Sequence, residues 1–184
     1  MNIRGKFVTL RAIEQDDLEL LRGMLNDPEM EQLVVGWSLP VSSYQEQQWY
    51  ESSQLDQRNL RFVIETEEDG ALGMATLVDI DWKNRTATHG MKLAKVRHRS
   101  KGVGTDTVMA VMRYAFDELQ LHRLDGSWFA SNAASRAMYM KCGWKEEGIR
   151  RSCVYKGGEY RDLTLVGILE NEYREIVARN DYWA

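Results

Sequence analysis

Residues 97–116 read Arg97-His98-Arg99-Ser100-Lys101-Gly102-Val103-Gly104-Thr105-Asp106, then Thr107-Val108-Met109-Ala110-Val111-Met112-Arg113-Tyr114-Ala115-Phe116. In the second half Val103, Thr107, Val108, Val111, Met112, Ala115 and Phe116 recur at helical spacing, which predicts an amphipathic helix over about 102–119. The first half is a basic, glycine-bearing turn that follows an expected strand over 86–94. A strand, a glycine turn and a fresh helix start make an anion cradle, because unpaired N–H groups and the helix dipole both favour negative charge there. Gly102 and Gly104 let the backbone approach a phosphate with no Cβ in the way. Arg97, Arg99 and Lys101 add full charges.

The turn lacks the Gly-Lys-Ser/Thr ending of a Walker loop, and Thr107 stands where a dinucleotide fingerprint needs its third glycine. What remains is Arg-x-x-Gly-x-Gly over Arg99 to Gly104, which an ordinary strand–helix connection fits as well. A second motif lies 28 residues past Gly104: Asn132-Ala-Ala-Ser-Arg-Ala-Met-Tyr139-Met-Lys-Cys-Gly143-Trp144, after an expected strand over 123–130. Together these resemble the GNAT superfamily of acyl-CoA-dependent N-acetyltransferases. Its phosphate loop reads Gln/Arg-x-x-Gly-x-Gly/Ala and its next helix Asn-x-x-(Ala/Ser)-x-x-x-Tyr-x-x-x-Gly-Phe. The start, Val8-Thr-Leu-Arg11 with Asp16-Asp17-Leu18, is similar to the RimJ/RimL-type branch, which includes ribosomal-protein alanine and spermidine acetyltransferases. The resemblance covers roughly residues 6–170 and is specific for the superfamily rather than for a substrate.

Taken in order, the chain reads as antiparallel strands, then β-α-β-α, then a closing hairpin. The pattern predicts a single α/β domain over 1–184: a mixed, mostly antiparallel twisted sheet of six to seven strands with helices on both faces. Residues 171–184 read as a polar tail of one or two helical turns beyond a core at about 6–170. A helix at 42–56 has Ser43 as its expected cap and Trp49 and Leu55 on its buried side. The resemblance implies the same fold, with the phosphate-loop strand and the next strand splayed apart and the pantetheine arm of acetyl-CoA against backbone groups of Lys92, Leu93 and Ala94.

The chain of 184 residues is 43% apolar and 28% charged, as ordinary globular proteins are, and its net charge of −4 argues against a general nucleic-acid binder. No apolar run reaches membrane-spanning length, and the N-terminus has no apolar signal core. Cys142 and Cys153 are expected to be reduced in a cytoplasmic protein. His89, His98 and His122 have no ligand spacing, so no metal is expected.

N-acetyl transfer needs a neutral amine, a polarised thioester carbonyl and a proton for the departing thiolate. Tyr139 is the candidate acid: a phenol is protonated at neutral pH, and the resemblance puts it opposite the sulfur. Its other reading is a core tyrosine facing the sheet. The base is open between His89, at a position where relatives often carry glutamate, and water. The resemblance assigns the cofactor to Arg99, Ser100, Lys101, Gly102, Val103, Gly104 and Thr105, with Asn132 as contact or helix cap and Arg136 and Lys141 as candidate phosphate partners. Trp37, Glu31 and Asp79 are candidate acceptor contacts. The acceptor stays open among protein N-termini, polyamines, amino sugars and other amines. A non-catalytic acyl-CoA sensor is the alternative function, and a homodimer is what the branch implies.

Overall fold

The computed structural model describes residues 1–36, 39–94 and 102–184. Among these residues eight strands form one sheet, ordered β1-β2-β3-β4-β5-β6-β8-β7, against the expected six to seven. They are β1 (Ile3–Arg4), β2 (Val8–Arg11), β3 (Leu60–Thr66), β4 (Gly70–Asp81), β5 (Thr86–Leu93), β6 (Arg123–Phe129), β7 (Lys145–Lys156) and β8 (Glu159–Leu169). Every pairing is antiparallel except β5 with β6. A parallel pair needs a crossover, and α4 (Val103–Arg113) supplies it.

The helices sort onto two faces because successive strand residues point in opposite directions. Neighbouring residues of β3 show this: Val63 packs with Ile13, Leu18, Leu21, Met24 and Met30, whereas Ile64 packs with Leu10, Val108 and Met112. Thus α1 (Leu18–Leu25) and α2 (Pro28–Leu33) cover one face and α4 the other. Asp17 starts α1: it accepts from the Glu14 N–H at 2.8 Å and from the Arg11 guanidinium at 2.7 and 2.9 Å. Helix α3 (Ser43–Ser53) is capped by Ser42, one residue before the expected cap, with Gln45 closing a capping box. Leu55, expected on its buried side, lies past the helix end and is 91% exposed. The long helix continues beyond α4 as a π-helical turn, Tyr114–Glu118.

The expected polar tail is instead part of the core. Helix α6 (Glu170–Asn180) buries Tyr173 against Phe116, ring centroids 5.3 Å apart. The Trp183 indole N–H donates to the Tyr173 hydroxyl at 3.0 Å, and the Tyr182 hydroxyl donates to Asp106 at 3.2 Å. Sparse aromatic residues in a charged segment gave too weak a periodicity to expose this packing.

Asp106, in the first turn of α4, fastens the N-terminus as well. Its buried carboxylate accepts from the backbone N–H groups of Lys6, Phe7 and Val8 at 2.8–3.0 Å. One side chain thus joins the start of the chain, the crossover helix and the C-terminal segment.

Candidate active site

Strands β5 and β6 pair at Thr86–Arg123, Ala87–Leu124 and Thr88–Asp125. Beyond Thr88 they part. β5 stays on β4 as far as Leu93 and β6 stays on β8 as far as Phe129. A gap therefore opens in the sheet, and His89 is the first residue of β5 past the last pair.

Tyr139 straddles this opening. It lies on α5 (Ala133–Lys141), 7% exposed, with its ring centroid 5.8 Å from His89 of β5 and 5.5 Å from Trp128 of β6. Trp144 closes the cluster edge-on at 5.0 Å. Asn132 starts α5 by accepting the Ser135 N–H at 3.1 Å, and its amide donates to the Leu33 carbonyl at 3.4 Å. Burial pushes the Tyr139 phenol above its ordinary value, so it is a neutral O–H donor across the physiological range.

His89 is 3% exposed. Its Nδ1 lies 2.9 Å from the Thr76 carbonyl, which only accepts, so Nδ1 carries the proton and Nε2 holds the lone pair. Among the described residues Nε2 is buried without a hydrogen-bond partner, as is Trp144 Nε1. Desolvation lowers the imidazole to about 4, against a weaker opposing effect of the Thr76 bond. Burial therefore opposes the charged imidazolium that a base would become. His89 is thus held as a neutral imidazole with its proton on Nδ1.

The backbone of β5 alternates. Ala94 N–H donates to the Leu72 carbonyl at 2.8 Å, and the β4–β5 register runs unshifted from Gly73–Leu93 through Val78–Thr88. Opposed antiparallel pairs alternate between those that exchange hydrogen bonds and those that do not. Lys92 and Ala94 therefore face β4, and of the three expected pantetheine contacts only Leu93 turns its backbone toward the gap. Met91, overlooked in the sequence, turns the same way.

At the start of α4, Gly102 has φ +85°, a left-handed conformation that favours glycine. Gly104 works differently from the expectation. A Cβ there would lie 2.6 Å from Met138 Sδ of α5, so its missing side chain admits a neighbouring helix. Val103 is buried and Thr105 half-buried; the Thr105 carbonyl accepts from Cys142 Sγ at 3.9 Å. Burial raises that thiol to about 12, which makes it inert as a nucleophile. Arg97, Arg99, Ser100, Lys101 and Trp37 lie outside the described residues.

Other candidates are engaged elsewhere. Arg136 pairs with Glu146 at 2.6 Å, and Lys141 is exposed at the last turn of α5. Glu31 is not an open counter-charge for an amine: buried Lys156, from the end of β7, pairs with it at 2.8 Å and also donates to the Glu31 and Val34 carbonyls. Asp79 sits exposed in the irregular stretch between Val78 and Asp81, beside Thr86–Thr88, at the closed end of the β5–β6 pair. Neither acid was distinguishable from other scattered carboxylates by sequence alone.

The family model of the acetyltransferase (GNAT) domain matches residues 8–145. The chain belongs to the GNAT acetyltransferase family. The spermidine N(1)-acetyltransferase of Vibrio cholerae is 26% identical over 167 residues, which is 90% of this chain and 95% of the relative. The SPbeta prophage-derived N-acetyltransferase YokL of Bacillus subtilis is 28% identical over 170 residues, 92% of this chain and 93% of that protein. Among solved structures, spermidine N-acetyltransferase from Vibrio cholerae in complex with CoA and spermine superposes with a TM-score of 0.83 at 25% identity, covering 91% of this chain and 98% of that one. As a GNAT acetyltransferase the chain transfers an acetyl group from acetyl-CoA to an amine. Acetyl-CoA fits the residues present: the gap offers Met91 and Leu93 backbone groups, and Gly102 begins a helix whose first N–H groups suit a pyrophosphate.

Proposed function

We propose that this GNAT acetyltransferase works in a ternary complex, with Tyr139 protonating the CoA thiolate and water carrying off the amine's proton. The observation that carries the reading is the position of Tyr139 over the gap between β5 and β6, next to a histidine whose burial opposes its taking a charge. The nitrogen lone pair attacks the thioester carbonyl carbon. The C–S bond breaks with its electron pair on sulfur, sulfur takes the Tyr139 proton, and the new amide nitrogen loses its extra proton to water. The phenol regains a proton from solvent. No covalent enzyme intermediate is needed, since holding both reactants supplies much of the rate.

In this reading Leu93 and Met91 hydrogen-bond the pantetheine arm. The pyrophosphate rests on the turn from Arg99 through Ser100, Lys101, Gly102, Val103, Gly104 and Thr105, with Asn132, Arg136 and Lys141 flanking the cofactor. The acceptor is a small amine, as it is for the spermidine acetyltransferases. The protein is one domain of the RimJ/RimL-like branch. It works in the cytoplasm, where its free Cys142 and Cys153 stay reduced, and it forms at least a homodimer; a Vibrio cholerae relative is dodecameric.

Tyr139→Phe tests the assignment. Thiol release should fall about 10²–10⁴-fold, the range for a lost general acid, while acetyl-CoA affinity measured by calorimetry stays within about twofold, the expectation for a residue acting only in the chemical step. A Tyr139→Phe enzyme with wild-type turnover removes Tyr139 from the mechanism.

A further inference from the structure

On the sheet face opposite Tyr139, α1, α3, β3, β4 and β5 line a half-open cleft of about 390 Å³. That is within the ordinary range for small-molecule sites, roughly 300–1,000 Å³. Its walls are Leu21, Met24, Leu25, Val41, Trp49 and Met74. Glu46 of α3 is among the lining residues and is 2% exposed. Its Oε1 is buried with no hydrogen-bond partner among the described residues. The other two buried carboxylates among the described residues, Asp17 and Asp106, accept two or more hydrogen bonds each. A buried, unpaired carboxylate is costly. Burial accordingly raises Glu46, and the charges of Arg22 on α1 and Lys92 on β5 only partly offset that.

Complementarity specifies the missing partner. A hydrogen-bond donor carrying positive charge satisfies Oε1, and a hydrocarbon body fills the walls. The rim sets a further limit. Lys92 and Arg61 border the cavity, with Arg61 stacked 5.7 Å from the Trp49 ring. Glu46 is the single acid among the lining residues, so a second ammonium on the same ligand meets cations and no carboxylate. The floor adjoins the gap: Met74 opposes Lys92, the residue before Leu93.

We propose that this cavity binds the acceptor as a lipophilic mono-ammonium ion, with Glu46 as its counter-ion, in preference to a polyamine; the ammonium gives one proton to water before its nitrogen attacks the thioester. The inference rests on the N-acetyltransferase reading and names the substrate class for it.

The test is calorimetry on the full chain with three probes of equal length: hexylammonium, 1,6-diaminohexane and 1-hexanol. Hexylammonium should bind at least about tenfold tighter than the other two, the size of one charge-assisted hydrogen bond. Glu46→Gln and Glu46→Met should each lose about tenfold or more for hexylammonium and nothing for hexanol. Affinity in the wild type should rise with pH as Glu46 ionises, and this rise should vanish in both variants. In turnover, Glu46→Gln should raise the hexylamine KM with a smaller change in kcat. Acetyl-CoA affinity should be the same in all three proteins. Amine affinity independent of Glu46, or tighter binding of the diamine, with acetyl-CoA still bound, overturns this inference alone. A wild type that binds no acetyl-CoA overturns the functional reading beneath it as well.

Discussion

The buried imidazole of His89 makes stability depend on pH in a way that can be worked out beforehand. In the folded protein its pKa is about 4; in the unfolded chain it returns to the ordinary 6.5. Between these values the unfolded chain binds more protons, so stability rises with pH there and is lost as pH falls from 6.5 toward 4. For one such group the contribution is RT ln[(1 + 10^(6.5−pH))/(1 + 10^(4−pH))]. It amounts to about 0.2 kcal/mol of lost stability at pH 7 and about 2.0 at pH 5, a difference of roughly 1.8 kcal/mol. For a chain of this length that is about 4–7 °C in Tm. Urea unfolding of wild type and His89→Gln at pH 7 and pH 5 isolates the effect, because the variant keeps every other titrating group. The wild type should lose roughly 1.8 kcal/mol more than the variant between the two pH values. An NMR titration should find His89 neutral at pH 5.5. Equal losses in the two proteins, or a His89 titrating near 6.5, would refute the reasoning and reopen its candidacy as base.

Asp106→Ala strands three backbone N–H donors and the Tyr182 hydroxyl, so it should cost about 3 kcal/mol or more in denaturant unfolding. Asp106→Asn, which keeps one acceptor oxygen, should cost less. Lys156→Met removes the ion pair to Glu31 and the donors to the Glu31 and Val34 carbonyls. A loss of about 3 kcal/mol is expected, with proteolysis at the end of α2 appearing first; an unchanged cleavage pattern would count against that role. Thiol labelling of the native protein at pH 8 should modify exposed Cys153 alone, and Cys142 only after unfolding, since burial holds Cys142 at about 12. Gly104→Ala should change stability by less than about 1 kcal/mol, because the flexible Met138 side chain can give way and alanine is the better helix former; a larger loss in urea unfolding would show that Met138 is held rigidly.

Two features came directly from the sequence. Apolar spacing over 103–116 made α4 legible, and Gly102 marked the left-handed residue at which it starts. The paired motifs around Gly102 and Tyr139 carried the family, because they are local and each has a backbone reason to be where it is. The C-terminal helix was far less legible, since Tyr173, Tyr182 and Trp183 are scattered among charges and gain their meaning from Phe116 and Asp106 elsewhere in the chain.

What only the tertiary structure decided is the electrostatic standing of each side chain. Glu31, Glu46 and Asp79 are equivalent acids in the sequence. Folding pairs the first with Lys156, buries the second without a hydrogen-bond partner among the described residues, and leaves the third exposed at the closed end of the strand pair. His89 likewise has an ordinary pKa until Trp144, Tyr139 and the Thr76 carbonyl surround it. Hydrophobic spacing and turn chemistry act between near neighbours and are written in residue order. Desolvation and charge pairing depend on which distant segments come to lie against a group, and the finished packing alone sets them.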